Sequence, residues 1–239
     1  MKLVFVCSGK GGTGKSCVAA YTGMALAKAG KSTLLIDASP APGALDLILG
    51  AHNDVVYNLA DVLGGNCGPH KAIIATAYKN LSLLPAGQAG ADPAEGANRF
   101  AELLKTIRHD FDFVLVDCPD PAVLAPNIQC TVLLVTTPDT LSARANQKLA
   151  RELYGAGITS LRLVINRVPP RVIPIMGVRD FDDLVDQIGA QLIAVVPASE
   201  KLQFSANNAK PLGKESLTVH VFDNLANRLR GRSEPLLVR

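Results

Sequence analysis

The segment VFVCSGKGGTGKSCVAAY, from Val4 to Tyr21, limits what this chain can become more than any other stretch. An apolar, β-branched run leads into a glycine-rich turn, and a small-residue helical pattern follows. Within it, GKGGTGKS at Gly9–Ser16 satisfies G-x-x-x-x-G-K-[ST] in full, in the strand–turn–helix setting that this motif requires. Gly9, Gly11, Gly12 and Gly14 free the backbone to bring N–H groups together on phosphate oxygens. The helix beginning near Lys15 turns its positive end to the same anion. Lys15 reaches the β and γ phosphates of a nucleotide, and the Ser16 hydroxyl ligates Mg²⁺. Thr13 and Cys17 complete the loop residues expected around the nucleotide. A second lysine, Lys10, stands in the same turn without being required by the motif.

Short apolar runs recur along the chain: Lys2–Cys7, Ser32–Asp37, Leu81–Gly87, Phe111–Asp117, Thr131–Thr136, Leu161–Asn166 and Gln191–Pro197. Continuous apolar runs bounded by Gly, Pro or Asp fit strands buried on both faces. Helical patterns lie among them at Ser16–Ala29, Glu95–Arg108, Leu141–Tyr154, Asp180–Ile188 and Leu217–Leu229. Such alternation predicts an α/β fold with a doubly wound, mostly parallel sheet. The Gly- and Pro-rich stretches Ala38–Gly43, Gly64–Pro69 and Pro169–Gly177 read as loops at the sheet's edge, not as linkers. The expectation is one domain over 1–239, with a short tail from about residue 231.

Composition narrows the function classes. With 48% hydrophobic and 19% charged residues the chain is globular, and 239 residues suffice for one sizeable core. A net charge of +3 and the absence of Trp leave little for a nucleic-acid surface, so such a partner is not expected. The five cysteines are scattered and never spaced C-x-x-C, which suggests neither a disulfide framework nor a zinc site. No signal-peptide pattern opens the chain, and no apolar run approaches the roughly 20 residues that span a bilayer. The sequence reads as cytoplasmic.

The two-lysine loop resembles the deviant phosphate loop of the MinD/ParA family of P-loop ATPases. That resemblance implies ATP and Mg²⁺ as cofactors and a homodimer that sandwiches the nucleotide. Lys10 would then reach the partner's phosphates and neutralise charge in trans, as an arginine finger does. LLIDASPAPGALDLILG at Leu34–Gly50 resembles the family's switch I, where an Asp-x-Asp pair is usual. Asp37 matches the first acid, but Ser39 stands at the second, whose carboxylate helps position the attacking water. A serine hydroxyl hydrogen-bonds to water and brings no charge, so slow hydrolysis, or another acid in its place, is expected. FDFVLVDCPDP at Phe111–Pro121 is similar to switch II, with Asp117 holding Mg²⁺ through a water. By the same resemblance Asn166 reads the adenine edge, and backbone around Pro197 meets the base. Lys10, Lys15, Asp37 and Asp117 are thus the expected catalytic set.

DVVYNLADVLGG at Asp54–Gly65 and LSLLPAGQ at Leu81–Gln88 resemble the MinD branch more than ParA. The implied function is an ATP-dependent dimerisation switch in division-site placement, with a protein partner that is recruited or stimulates hydrolysis. A ParA-type positioning ATPase on DNA, an iron–sulfur assembly scaffold and a regulatory pseudo-ATPase are the alternatives. The scaffold lacks cysteine pairs in the second half of the chain. At the C-terminus, Val221, Leu225 and Leu229 recur at helical spacing, so that helix is expected to pack one apolar stripe on the sheet. SEPLLVR after Gly231 and Arg232 is too short and Pro-broken for a membrane helix; peripheral association with the inner face of the membrane rests on the family alone.

Overall fold

The first strand, β1 (Lys2–Cys7), sends Leu3, Phe5 and Cys7 into one buried cluster and Val4 and Val6 into another. A strand apolar on both faces has to lie inside a covered sheet. The computed structural model describes residues 1–39, 43–87, 93–124, 128–169, 180–213 and 216–237. After β1 come α1 (Lys15–Lys28), β2 (Thr33–Asp37), α2 (Leu45–Leu49), a 3₁₀ turn at His52–Asp54, α3 (Leu59–Leu63) and α4 (Pro69–Ala72). The chain continues with β3 (Ile74–Ala75), β4 (Leu81–Leu84), α5 (Pro93–Thr106), β5 (Phe113–Asp117), α6 (Pro121–Leu124), β6 (Thr131–Thr136) and α7 (Thr140–Gly155). It closes with β7 (Leu161–Val168), α8 (Phe181–Ile188), β8 (Gln191–Pro197), α9 (Glu200–Asn207) and α10 (Leu217–Leu229).

These strands form one eight-stranded sheet in the order β3-β4-β2-β5-β1-β6-β7-β8, parallel except for β3 against β4. Helices α3, α4, α5, α7 and α8 cover one face, and α1, α2, α9 and α10 the other. The chain leaves β1 toward β2 on one side, whereas β6 lies on the other, so β1 ends where the winding reverses. Ligands of doubly wound sheets bind outside the strand carboxyl ends at such a point. The loop after β1 occupies it.

The doubly wound parallel sheet agrees with the sequence reading, and all the anticipated strands are present. Strand β4 stops at Leu84 instead of Gly87, and β7 runs past Asn166 to Val168. The edge strand β3 and the short helices α2, α3, α4, α6 and α9 were not anticipated, because elements of this length carry little readable period. Of the expected loops, Gly64–Pro69 is a turn whose last residue already opens α4, while 40–42 and 170–177 lie outside the described residues.

Helix α10 buries Val221 and Leu225, but it also packs on α1, where Tyr21 stacks on Phe222 at 5.6 Å between centroids. The following segment folds back along α10. Arg228 donates to the carbonyls of Ile193 and Glu234, and Asn224 to that of Pro235. No described helix is long and apolar enough to cross a membrane.

Candidate functional site

Two of the loop glycines are dictated by close approach. A Cβ on Gly9 would lie 2.3 Å from the Ala145 carbonyl oxygen of α7, and one on Gly14 2.4 Å from Nδ2 of Asn166. Gly14 also sits at φ 91°, where a side chain is strained. Around Gly11 and Gly12 the reverse holds: a Cβ there would meet nothing within 4 Å. Their bareness therefore leaves open space above the loop, the form of a cradle awaiting a ligand.

The cradle is tied to the rest of the fold by two buried amides. Asn166, near the end of β7, donates from Nδ2 to the Thr13 carbonyl at 2.7 Å. Asn146 of α7 accepts from the Gly9 amide at 3.2 Å and donates to Ser142 and Val135 carbonyls. Helix α1 starts directly after the loop with no side-chain cap and no acid in its first turn. Its early N–H groups thus have no capping side chain, the condition in which a helix N-terminus takes an anion.

Two acids end adjacent strands, with Asp37 of β2 paired in register to Asp117 of β5. Their environments differ. Asp37 accepts from the amides of Ser39, Ala44 and Leu45, at 3.1, 2.9 and 3.1 Å. It thereby ties residues 39 and 44–45 to the strand end. Asp117 is fully buried, and neither carboxylate oxygen has a hydrogen-bond partner. Burial pushes its carboxyl up to about 6, and the charge of Asp37 adds to this. Ser16, Lys15 and Ser39 lie close enough to pull the other way. Neither hydroxyl is in hydrogen-bonding geometry with the carboxylate, so they and Lys15 offset only part of the cost of burial.

A family described as an AAA domain matches residues 1–154. The septum site-determining protein MinD of Synechocystis sp. is 33% identical over 99% of this chain and 92% of its own length. The chain belongs to the MinD family. Among solved structures, the MinC:MinD cell division protein complex of Aquifex aeolicus matches with a TM-score of 0.88 and 30% identity, over 100% of this chain and 99% of that one. The septum site-determining protein MinD complexed with Mg-ADP from Pyrococcus horikoshii matches with a TM-score of 0.79 and 27% identity, over 95% of each chain.

In this MinD-family chain the residues present fit a magnesium ion. Asp117 offers an orphaned buried carboxylate, and Ser16 a hydroxyl beside it. Mg²⁺ prefers hard oxygen ligands and typically keeps one or two from protein, with phosphates and water completing the shell. Accordingly, no cluster of three or more His, Cys, Asp or Glu among the described residues could hold a metal unaided.

Of the expected residues, the whole Gly9–Cys17 loop, Asp37, Asp117 and Asn166 converge at the strand carboxyl ends. Pro197 ends β8, two strands out from β6–β1 contact, and pairs with Val168 of β7. Asn166 has a task the sequence did not reveal, because its Nδ2 already holds the loop. Sequence reasoning missed Asn146 and Asp139. Asp139 caps α7 and meets Lys10; the cap is legible in the order Asp139, Thr140, Leu141, Ser142, but its proximity to Lys10 is not.

Proposed function

We propose that the chain is a MinD-type dimerisation switch that binds and hydrolyses ATP and acts in placement of the bacterial division site. The observation carrying this reading is the orphaned Asp117 carboxylate beside Ser16, at the foot of the uncapped helix α1. Loop amides and Lys15 bind the phosphates of the chain's own ATP, while Ser16 and Asp117 hold Mg²⁺. An ion held there would supply neutralisation of the phosphate charge. Asn166 presents its amide to the adenine edge from a position fixed by Thr13, and backbone at Pro197 borders the base. Asp37 keeps the following segment in place by its backbone hydrogen bonds.

Lys10 acts in trans. Its ion pair with Asp139 directs the ammonium to the α7 cap rather than into its own cradle, which supports its assignment to a partner's phosphates. The Pyrococcus horikoshii relative with Mg-ADP supports the choice of cofactors. The Aquifex aeolicus complex with MinC supports a protein partner of the division-regulator kind. A cytoplasmic location is part of this proposal. Peripheral membrane contact draws on the family only, and failure to co-sediment with anionic vesicles in ATP would remove it.

Ser39 favours slow turnover as a second reading, since its hydroxyl brings no charge to the place of the usual carboxylate. Steady-state phosphate release from wild type, Ser39→Asp and Lys15→Ala proteins with Mg-ATP tests both. Slow release from wild type and faster release from Ser39→Asp are expected. Equal rates would remove the slow-turnover reading, and tight ATP binding by Lys15→Ala would overturn the phosphate-loop assignment itself.

A further inference from the structure

Strand β7 breaks its own alternation at the nucleotide end. Ile165 pairs with Val195, yet the next paired residue, Val168, opposes Pro197. One extra residue has been inserted on β7, which is a β-bulge, and bulges re-aim side chains next to active sites. Within it Arg167 adopts φ 58°, the left-handed region that an arginine rarely takes.

The residues on both sides of it are anchored. Asn166 donates to the Thr13 carbonyl at 2.7 Å, and the Val168 carbonyl accepts from the Ala198 amide at 2.7 Å. Arg167 between them is exposed and makes no hydrogen bond or ion pair with a described residue. The strain is therefore held in place by its neighbours and relieved by no hydrogen bond or ion pair to a described residue. Backbone outliers of this kind gather at ligand sites.

Arg167 is an electrostatic neighbour of Cys17, the third residue of α1. A further cation beside a helix's positive end, where Lys15 already stands, is unfavourable until an anion arrives. Arg167 follows directly on Asn166, whose side chain touches the phosphate-binding turn at Thr13.

We propose that Arg167 is a nucleotide-holding residue whose guanidinium donates to the base-proximal phosphate, while Lys15 takes the terminal ones. Arginine's planar fork suits two phosphate oxygens at once, which a lysine cannot match. The assignment rests on the nucleotide-binding reading above and adds a residue that the loop motif does not contain.

Arg167→Gly is the informative variant, because glycine takes this backbone conformation without strain. Wild type, Arg167→Gly and Arg167→Lys would be compared by calorimetric titration with ADP and Mg²⁺, by competition with GDP, and by thermal melting without nucleotide. Arg167→Gly is expected to melt at or above wild type and to bind ADP about ten-fold more weakly. Its ADP-to-GDP preference should stay the same, and Arg167→Lys should recover part of the loss. Unchanged ADP affinity in Arg167→Gly would overturn the assignment. A changed base preference would overturn the phosphate contact in favour of one to the base, and a much lower melting temperature would make the residue structural. If wild type itself bound no ADP, the nucleotide reading would fail rather than this one.

Discussion

The Lys10 ammonium lies 3.2 Å from a carboxylate oxygen of Asp139 and so joins the phosphate loop to the cap of α7. Asp139 also accepts from the Ser142 amide at 2.9 Å and from the Thr137 hydroxyl. Burial raises its carboxyl, but those hydrogen bonds and Lys10 outweigh it and hold the group below its ordinary range. With side chains 40% and 24% exposed, the ion pair contributes below about 1 kcal/mol. A contact that weak can be exchanged for a partner's phosphate.

Asp139→Asn keeps an N-cap side chain on α7 and removes the charge that holds Lys10. ATP-dependent self-association, followed by sedimentation velocity, is expected at two- to five-fold lower protein concentration, roughly the worth of a half-exposed pair. Raising the salt should narrow the difference from wild type. Weaker association of the variant would show that the pair prepares Lys10 instead of restraining it.

Asp117 links pH to stability with a definite sign. Its carboxyl is raised to about 6 in the folded chain from an ordinary value near 3.8, so between these values the native state holds the extra proton. Nucleotide-free stability therefore falls as pH rises from about 4 to about 6, by roughly 3 kcal/mol if this group acted alone. Asp117→Asn should flatten that slope and melt higher than wild type at pH 7. It should also lose the Mg²⁺ dependence of nucleotide binding. A variant that melts lower at pH 7 would contradict a net cost of the buried charge.

The loop glycines should separate into two classes. Gly14→Ala places a Cβ against Asn166 at a left-handed backbone position, and is expected to cost about 2–4 kcal/mol in denaturant unfolding. Gly11→Ala meets no protein atom, so stability should stay within about 0.5 kcal/mol of wild type while ADP affinity falls. Retained ADP affinity in Gly11→Ala would mean that the space above the loop is not the phosphate site.

Asn146→Ala removes the acceptor for the Gly9 amide and two further buried hydrogen bonds. About 1–3 kcal/mol of stability should be lost, as for buried polar groups left unpaired. ADP should also bind more weakly, because Gly9 then loses its fixed orientation. Melting in the presence of saturating ADP and Mg²⁺ would show a smaller ligand-induced rise than in wild type.

The cradle and the sheet are written in short windows of sequence. A strand buried on both faces shows in six residues, and the phosphate loop with its flanking strand and helix shows in Val4–Tyr21, since each depends on neighbours in the chain. Asp37 and Asp117 could be found from the apolar runs they end. Their contrast could not: one is satisfied by backbone amides and the other by nothing, although both end similar strands.

The sequence by itself determined that this chain winds a parallel sheet around a phosphate-binding turn, because backbone freedom and hydrophobic period are local properties. Tertiary structure alone decided what grips that turn. Lys10 meets Asp139 across 129 residues, Gly9 meets Asn146 across 137, and Asn166 meets Thr13 across 153. No pattern of spacing encodes such pairs, which exist because β1 lies between β5 and β6 and β7 stands next to β6. The bulge that re-aims Arg167 arises in the same way, from a one-residue mismatch between two strands that only the folded sheet brings together.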